Sequence, residues 1–153
     1  MKKKMVKKFI YKGFGFPIKL VNVPMVKVFG KWAMDINFNK LRLTVLHHLL
    51  LKAEILSGAE LKFIRQFLNM TTTEFGNIFE VSHVSVLNWE KGVNQIASTT
   101  DIYLRLYVLD QLRVKDKEFR TFYSNITHTK LAKPKAEKPS PLLIDIHEEL
   151  KTA

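Results

Sequence analysis

The chain has 153 residues, 46% hydrophobic, 11% aromatic and 25% charged, which fits one compact domain with an arm or tail and excludes a wholly disordered chain. Its 25 Lys and Arg against 14 Asp and Glu give a net charge of +11, which points to a polyanionic partner. It contains no cysteine, which removes disulfides, thiolate catalysis and every zinc site built on Cys ligands.

The first 12 residues carry Lys2, Lys3, Lys4, Lys7, Lys8 and Lys12 and no acid. They read as a basic arm able to track phosphates or enter a minor groove. Lys7, Lys8 and Lys12 interrupt the apolar run that a signal peptide would need. No stretch approaches the ~18 apolar residues of a transmembrane helix. A cytoplasmic protein without a membrane partner is expected.

Residues 13–36 read as extended. Ile18, Leu20, Val26 and Val28 alternate with Lys19 and Lys27, a short period of two with Lys on the wet face. Pro17 and Pro24 exclude a helix and favour an edge or a bulge. Phe29-Gly30-Lys31-Trp32 looks like a turn between two strands. A small β-hairpin or extended arm is expected here. Gly13-Phe14-Gly15-Phe16 lacks the Lys-Ser/Thr step of a phosphate loop.

From Asn39 the period changes. Leu43, Leu46, Leu49, Leu50 and Ala53 recur at helical spacing, predicting an amphipathic helix over 39–53. His47-His48 has no further ligands at useful spacing, so no metal is expected.

Four helix starts follow. Ser57-Gly58-Ala59-Glu60 and Thr71-Thr72-Thr73-Glu74 are capping boxes, Ser82 is a third N-cap, and Ser98-Thr99-Thr100-Asp101 is a fourth start. They predict helices over 57–68, 72–79, 83–91 and 99–113. Phe119, Phe122 and Ile126 suggest another over 115–128. Pro134, Pro139 and three Lys make 131–140 a linker, followed by a flexible tail to 153.

The two short helices 72–79 and 83–91 are separated by about three residues. Gly76 interrupts the first, where Gly disfavours a helix by roughly 1 kcal/mol. A second helix crossing close to Gly76 would explain it. Val81 would plug the turn, and Val86 and Trp89 would face inward. That is the packing demand of a helix-turn-helix.

The run from Met70 to Gly92, with its Thr cap, Glu74-Phe75-Gly76 step, Val81-Ser82 turn and terminal Trp89-Glu90-Lys91-Gly92, resembles the helix-turn-helix of the Xre/Cro phage-repressor family. The resemblance spans about 57–112. Glu80 stands where the family usually has Gly, and Thr72 where it often has a phosphate-fixing Gln. Asn22-Val23-Pro24-Met25, Asp35-Ile36-Asn37 and Leu56 to Arg65 also resemble the DNA-binding half of MqsA-type antitoxins, without the zinc domain.

The fold expected is therefore mainly α. It is a five-helix Xre/Cro-type domain over 57–130, preceded by the basic arm and by a β-arm plus helix over 13–56, and followed by the 131–153 tail. In the helix-turn-helix geometry, His83, Val84, Leu87 and Asn88 would meet base edges, Asn88 as a bidentate adenine reader. Thr71, Thr72, Ser82, Ser85 and Lys91 would meet phosphates, together with Lys2, Lys3, Lys4, Lys7 and Lys8. On helix 99–113, Ile102, Leu106 and Leu109 form an inward face. Tyr103, Tyr107 and Leu112 form a second apolar face for a homodimer matched to a palindromic operator in double-stranded DNA. A dimeric transcriptional repressor is the expected function, and the alternative is an antitoxin-like module that neutralises a toxin-like protein partner. No Ser elbow and no carboxylate pair with a plausible cleft indicates an enzyme, and no cofactor is expected. Residues 57–114 net −1, whereas the first 56 net +10. Sequence reading and salt-dependent affinity are thus expected from different segments.

Overall fold

The computed structural model describes residues 2–112, 117, 120–121 and 141–150. The helix expected over 115–128 and the linker over 131–140 lie, except for 117, 120 and 121, outside these residues. The chain is mixed α/β rather than mainly α, with three strands first, then helices, and a fourth strand near the end. It forms two units, residues 1–47 with 140–153, and residues 48–139.

The first unit is built on a sheet. Strand β1 is Lys3–Tyr11, β2 is Ile18–Val28, β3 is Lys31–Met34 and β4 is Leu142–Asp145. β2 is the hub: β1 and β3 pair with it antiparallel, and β4 pairs with it parallel. The expected arm is thus a nine-residue strand. Its apolar Met5, Val6, Phe9 and Ile10 break up the lysines, and its backbone is hydrogen-bonded along β2 from Lys3↔Val26 to Tyr11↔Ile18. The expected flexible tail also contributes a strand. Its apolar run Leu142-Leu143-Ile144 lies beside Ile18, Lys19 and Leu20, and Ile144 and Ile146 are buried.

β2 departs from the simple alternation. Ile18 and Leu20 are buried, but the next buried pair is Val23 and Met25, not Val26 and Val28. Asn22 lies between them in the left-handed region at φ 55°, which shifts the inward set by one residue. Asn tolerates this backbone better than other non-Gly residues. Its side-chain Nδ2 donates to Asp145 Oδ2 at 3.0 Å. The other Asp145 oxygen accepts from His147 N and Glu148 N and caps the single turn α6, Ile146–Glu149. Pro24 lies within β2, in register with Met5 of β1, and its carbonyl accepts from Asp35 N at 2.8 Å just past β3.

The unit boundary falls within helix α1, Phe38–Leu51. Its buried residues are Leu41, Val45, Leu46, Leu49 and Leu50, while Leu43 is exposed and Ala53 lies outside the helix. The inward stripe is therefore rotated from the expected one.

The second unit holds α2 Gly58–Phe67, α3 Thr72–Ile78, α4 His83–Glu90 and α5 Ser98–Gln111. Both capping boxes form: Ser57 Oγ accepts from Glu60 N, Thr71 Oγ1 accepts from Glu74 N, and each Glu reaches back. Ser82 caps α4 through Ser85 N. The fourth start differs. Ala97 occupies the cap position, and Asp101 turns inward instead. Its Oδ1 accepts from Arg105 Nε at 2.6 Å and its Oδ2 from Leu56 N at 2.8 Å. Arg105 in turn donates to the carbonyls of Leu50, Lys52 and Glu54 at the end of α1 and beyond it. Both side chains are fully buried. This pair turns α5 so that its inward face is Asp101, Leu104, Arg105, Val108 and Leu109, while Ile102 and Leu106 are only half-buried.

Candidate nucleic-acid interface

The candidate interface lies in the second unit, on α3, α4 and the turn between them. α3 ends at Ile78, and Phe79 follows with its N–H bonded to the Gly76 carbonyl. Glu80 then adopts the left-handed region at φ 56°, and Val81 N–H returns to Gly76 O at 3.0 Å. Gly76 is buried where this turn folds back. A Cβ there would lie 2.6 Å from Val81 O and 3.4 Å from Val86 Cγ2. Only glycine fits without a shift of backbone.

α2 and α4 are clamped at two points. A Cβ on Gly58 would lie 2.4 Å from Trp89 O and 2.5 Å from Glu90 O, so the start of α2 abuts the end of α4. Arg65 donates to both Glu90 oxygens, at 2.7 and 2.9 Å, and to Met70 O at 3.0 Å. The hydrogen-bonded Glu90 carboxylate raises the Arg65 pKa above its ordinary value despite partial burial. Phe75 and Val86 are buried beneath. Phe79 links three rings, meeting Phe75 at 5.4 Å and Trp89 and Tyr103 at 5.9 Å each. Trp89 is half-buried on this cluster rather than sealed in the core.

The clamped face of α4 leaves another face outward. His83 and Val84 are exposed at its first turn, Lys91 is exposed just past its end, and Leu87 and Asn88 are half-buried. Thr71 and Ser82 are exposed, with their oxygens engaged as caps. Ser82 and Ser85 hydroxyls lie 3.3 Å apart. Thr72 is half-buried. No protein-family model, curated protein or solved structure matches this chain. Tyr103 is 52% exposed although it edges Phe79, and Tyr107 and Leu112 are half-buried. Among the described residues, no three His, Asp or Glu side chains gather as metal ligands, and no helix is long and apolar enough to cross a membrane.

Lys3, Lys4, Lys7 and Lys8 are exposed along β1 in the first unit, and Lys2 is exposed just before it. There Lys4 Nζ sits 4.2 Å from the Trp32 ring centroid and Lys27 Nζ 6.0 Å from it. The sequence reading missed this cation–aromatic cluster. Its signal was the pairing of Lys27 with Trp32 across a tight turn.

Proposed function

We propose that the protein is a sequence-specific, double-stranded-DNA-binding transcriptional regulator, acting as a dimeric repressor, in which α3 and α4 form a helix-turn-helix. The observation that carries this reading is the close approach at Gly76, together with a neighbouring helix α4 whose first turn exposes His83 and Val84. A helix-turn-helix needs a small residue where its two helices meet. It also needs an outward N-terminal turn on the second helix. In this reading α4 enters the major groove. Asn88 pairs with adenine, His83 donates to a guanine acceptor and Val84 meets a thymine methyl. Thr71, Thr72, Ser82, Ser85 and Lys91 hold phosphates, the hydroxyls through their remaining donor protons. Exposed Tyr103, with Tyr107 and Leu112, supplies the contact between protomers.

Charge supports a division of labour. Lys91 is exposed just past α4, but so are Glu74 on α3 and Glu80 in the turn before α4. The excess of cations lies in the first 56 residues, four of them on β1, and supplies affinity that does not depend on sequence. Selection from random duplexes with the purified full chain should return a short palindrome. Recovery of no enriched motif at moderate salt would overturn the proposal. The alternative antitoxin-like reading loses one of its motives, because Leu142–Asp145 of the tail is engaged in the protein's own sheet.

A further inference from the structure

The tip of the β2–β3 hairpin combines features that the fold itself does not use. The two residues between the strands, Phe29 and Gly30, both lie in the left-handed region, at φ 48° and 76°. That is the pattern of a two-residue type I′ turn, for which Asn-Gly is the favoured pair. Here a bulky aromatic holds the position instead, and its side chain is 100% exposed. A Phe placed against both the backbone preference and the hydrophobic effect gains nothing from its own chain.

Its surroundings indicate what it could meet. Lys27 pairs with Trp32, and Val28 with Lys31. Paired residues share a face and successive residues alternate, so Lys27 and Lys31 stand on opposite faces just behind the tip. Trp32 holds the Lys4 ammonium over its ring, adding a third cation on the Lys27 face. A convex tip with one free aromatic ring and cations on both sides complements a nucleic-acid duplex. The ring can wedge at a base step while the ammonium groups reach the flanking phosphates. A single strand would instead call for an open aromatic platform, and the Trp32 face is already taken by Lys4.

We infer that the β2–β3 hairpin is a second DNA-contacting element, in which Phe29 inserts at a base step of duplex DNA and Lys27 and Lys31 grip the phosphates on either side. This goes beyond base reading by α4 and deepens the DNA-binding proposal. It requires no preferred site.

The test uses the full chain and a short duplex of randomised sequence, labelled at both ends so that energy transfer reports bending. Phe29→Asn keeps a residue suited to the turn and removes the wedge. It should abolish bending, weaken binding about tenfold and leave the unfolding midpoint no lower. Lys27→Gln with Lys31→Gln should lower the slope of log affinity against log salt by about 2. Wild-type bending and affinity in Phe29→Asn would overturn the inference. So would tighter Phe29-dependent binding to the corresponding single strand. Phe29-dependent binding to phosphatidylserine-containing vesicles, with DNA binding unaffected, would likewise overturn it. The two proposals fail separately. Loss of any selected motif with Phe29-dependent bending intact removes only the α4 reading. A selected motif without Phe29-dependent bending removes only the hairpin.

Discussion

Glu80 sits at φ 56° in the tight connection that closes on Gly76. An L-residue there carries about 1–2 kcal/mol of strain that glycine does not. Glu80→Gly should therefore raise stability by about 1 kcal/mol, read as a higher urea midpoint with an unchanged slope. Asn69, at a similar φ after α2, is already the residue type that tolerates this backbone. Asn88 tests function at the same scale. Its main-chain carbonyl holds Val93 and Asn94 N–H, bonds that survive truncation of the side chain. Asn88→Ala should weaken binding to the selected site by about 1–3 kcal/mol, measured by titration, and leave the unfolding midpoint in place. Unfolding by this change would show that the side chain faces the wrong way for base reading.

At the scale of elements, the most consequential contact is the buried pair Asp101–Arg105. It gathers one N–H and three carbonyls from residues 50–56 onto the first half of α5. Replacing Arg105 by Met leaves a lone buried carboxylate and should lower stability by about 3–5 kcal/mol. Adding Asp101→Asn removes that charge, so the double variant should lose less than the two single losses combined, as denaturation of all three would show. The same pair explains where the sequence was legible and where it was not. The caps at Ser57, Thr71 and Ser82 act within three residues, so their signal is complete in a short window. The glycine at 76 and the turn at Phe29-Gly30 are local for the same reason. Asp101 looks like a cap in that window, but Arg105, four residues on, and Leu56 N, 45 residues away, hold it inward instead. The rotated stripes of α1 and α5 follow from such distant partners. The left-handed Asn22 likewise depends on no repeating pattern. For the candidate interface, the exposed residues of the first turn of α4 were legible, but the packing state of Trp89 and the Lys4–Trp32–Lys27 cluster needed the fold.

Across the whole chain, four of the six N-terminal lysines, Lys3, Lys4, Lys7 and Lys8, belong to a strand rather than to a loose arm, and a strand holds its lysines at fixed intervals. Replacing Lys2, Lys3, Lys4, Lys7 and Lys8 by Gln should lower DNA affinity for all sequences alike. It should cut the salt slope by up to about 4.5 while the selected motif stays the same. A changed motif in a repeated selection would show that these lysines read sequence. The parallel partnership of β4 with β2 has a consequence for how the molecule is made. Asn22 and Asp145 are separated by 123 residues, so during synthesis the Ile18–Val21 flank of β2 stands open until its partner emerges. At roughly 5–20 residues per second that interval lasts about 6–25 s. Residues 48–139 leave the ribosome within it, free to fold while the first unit still waits with Ile18 and Leu20 uncovered. The nascent sheet is thus the stretch that a chaperone has most reason to shield.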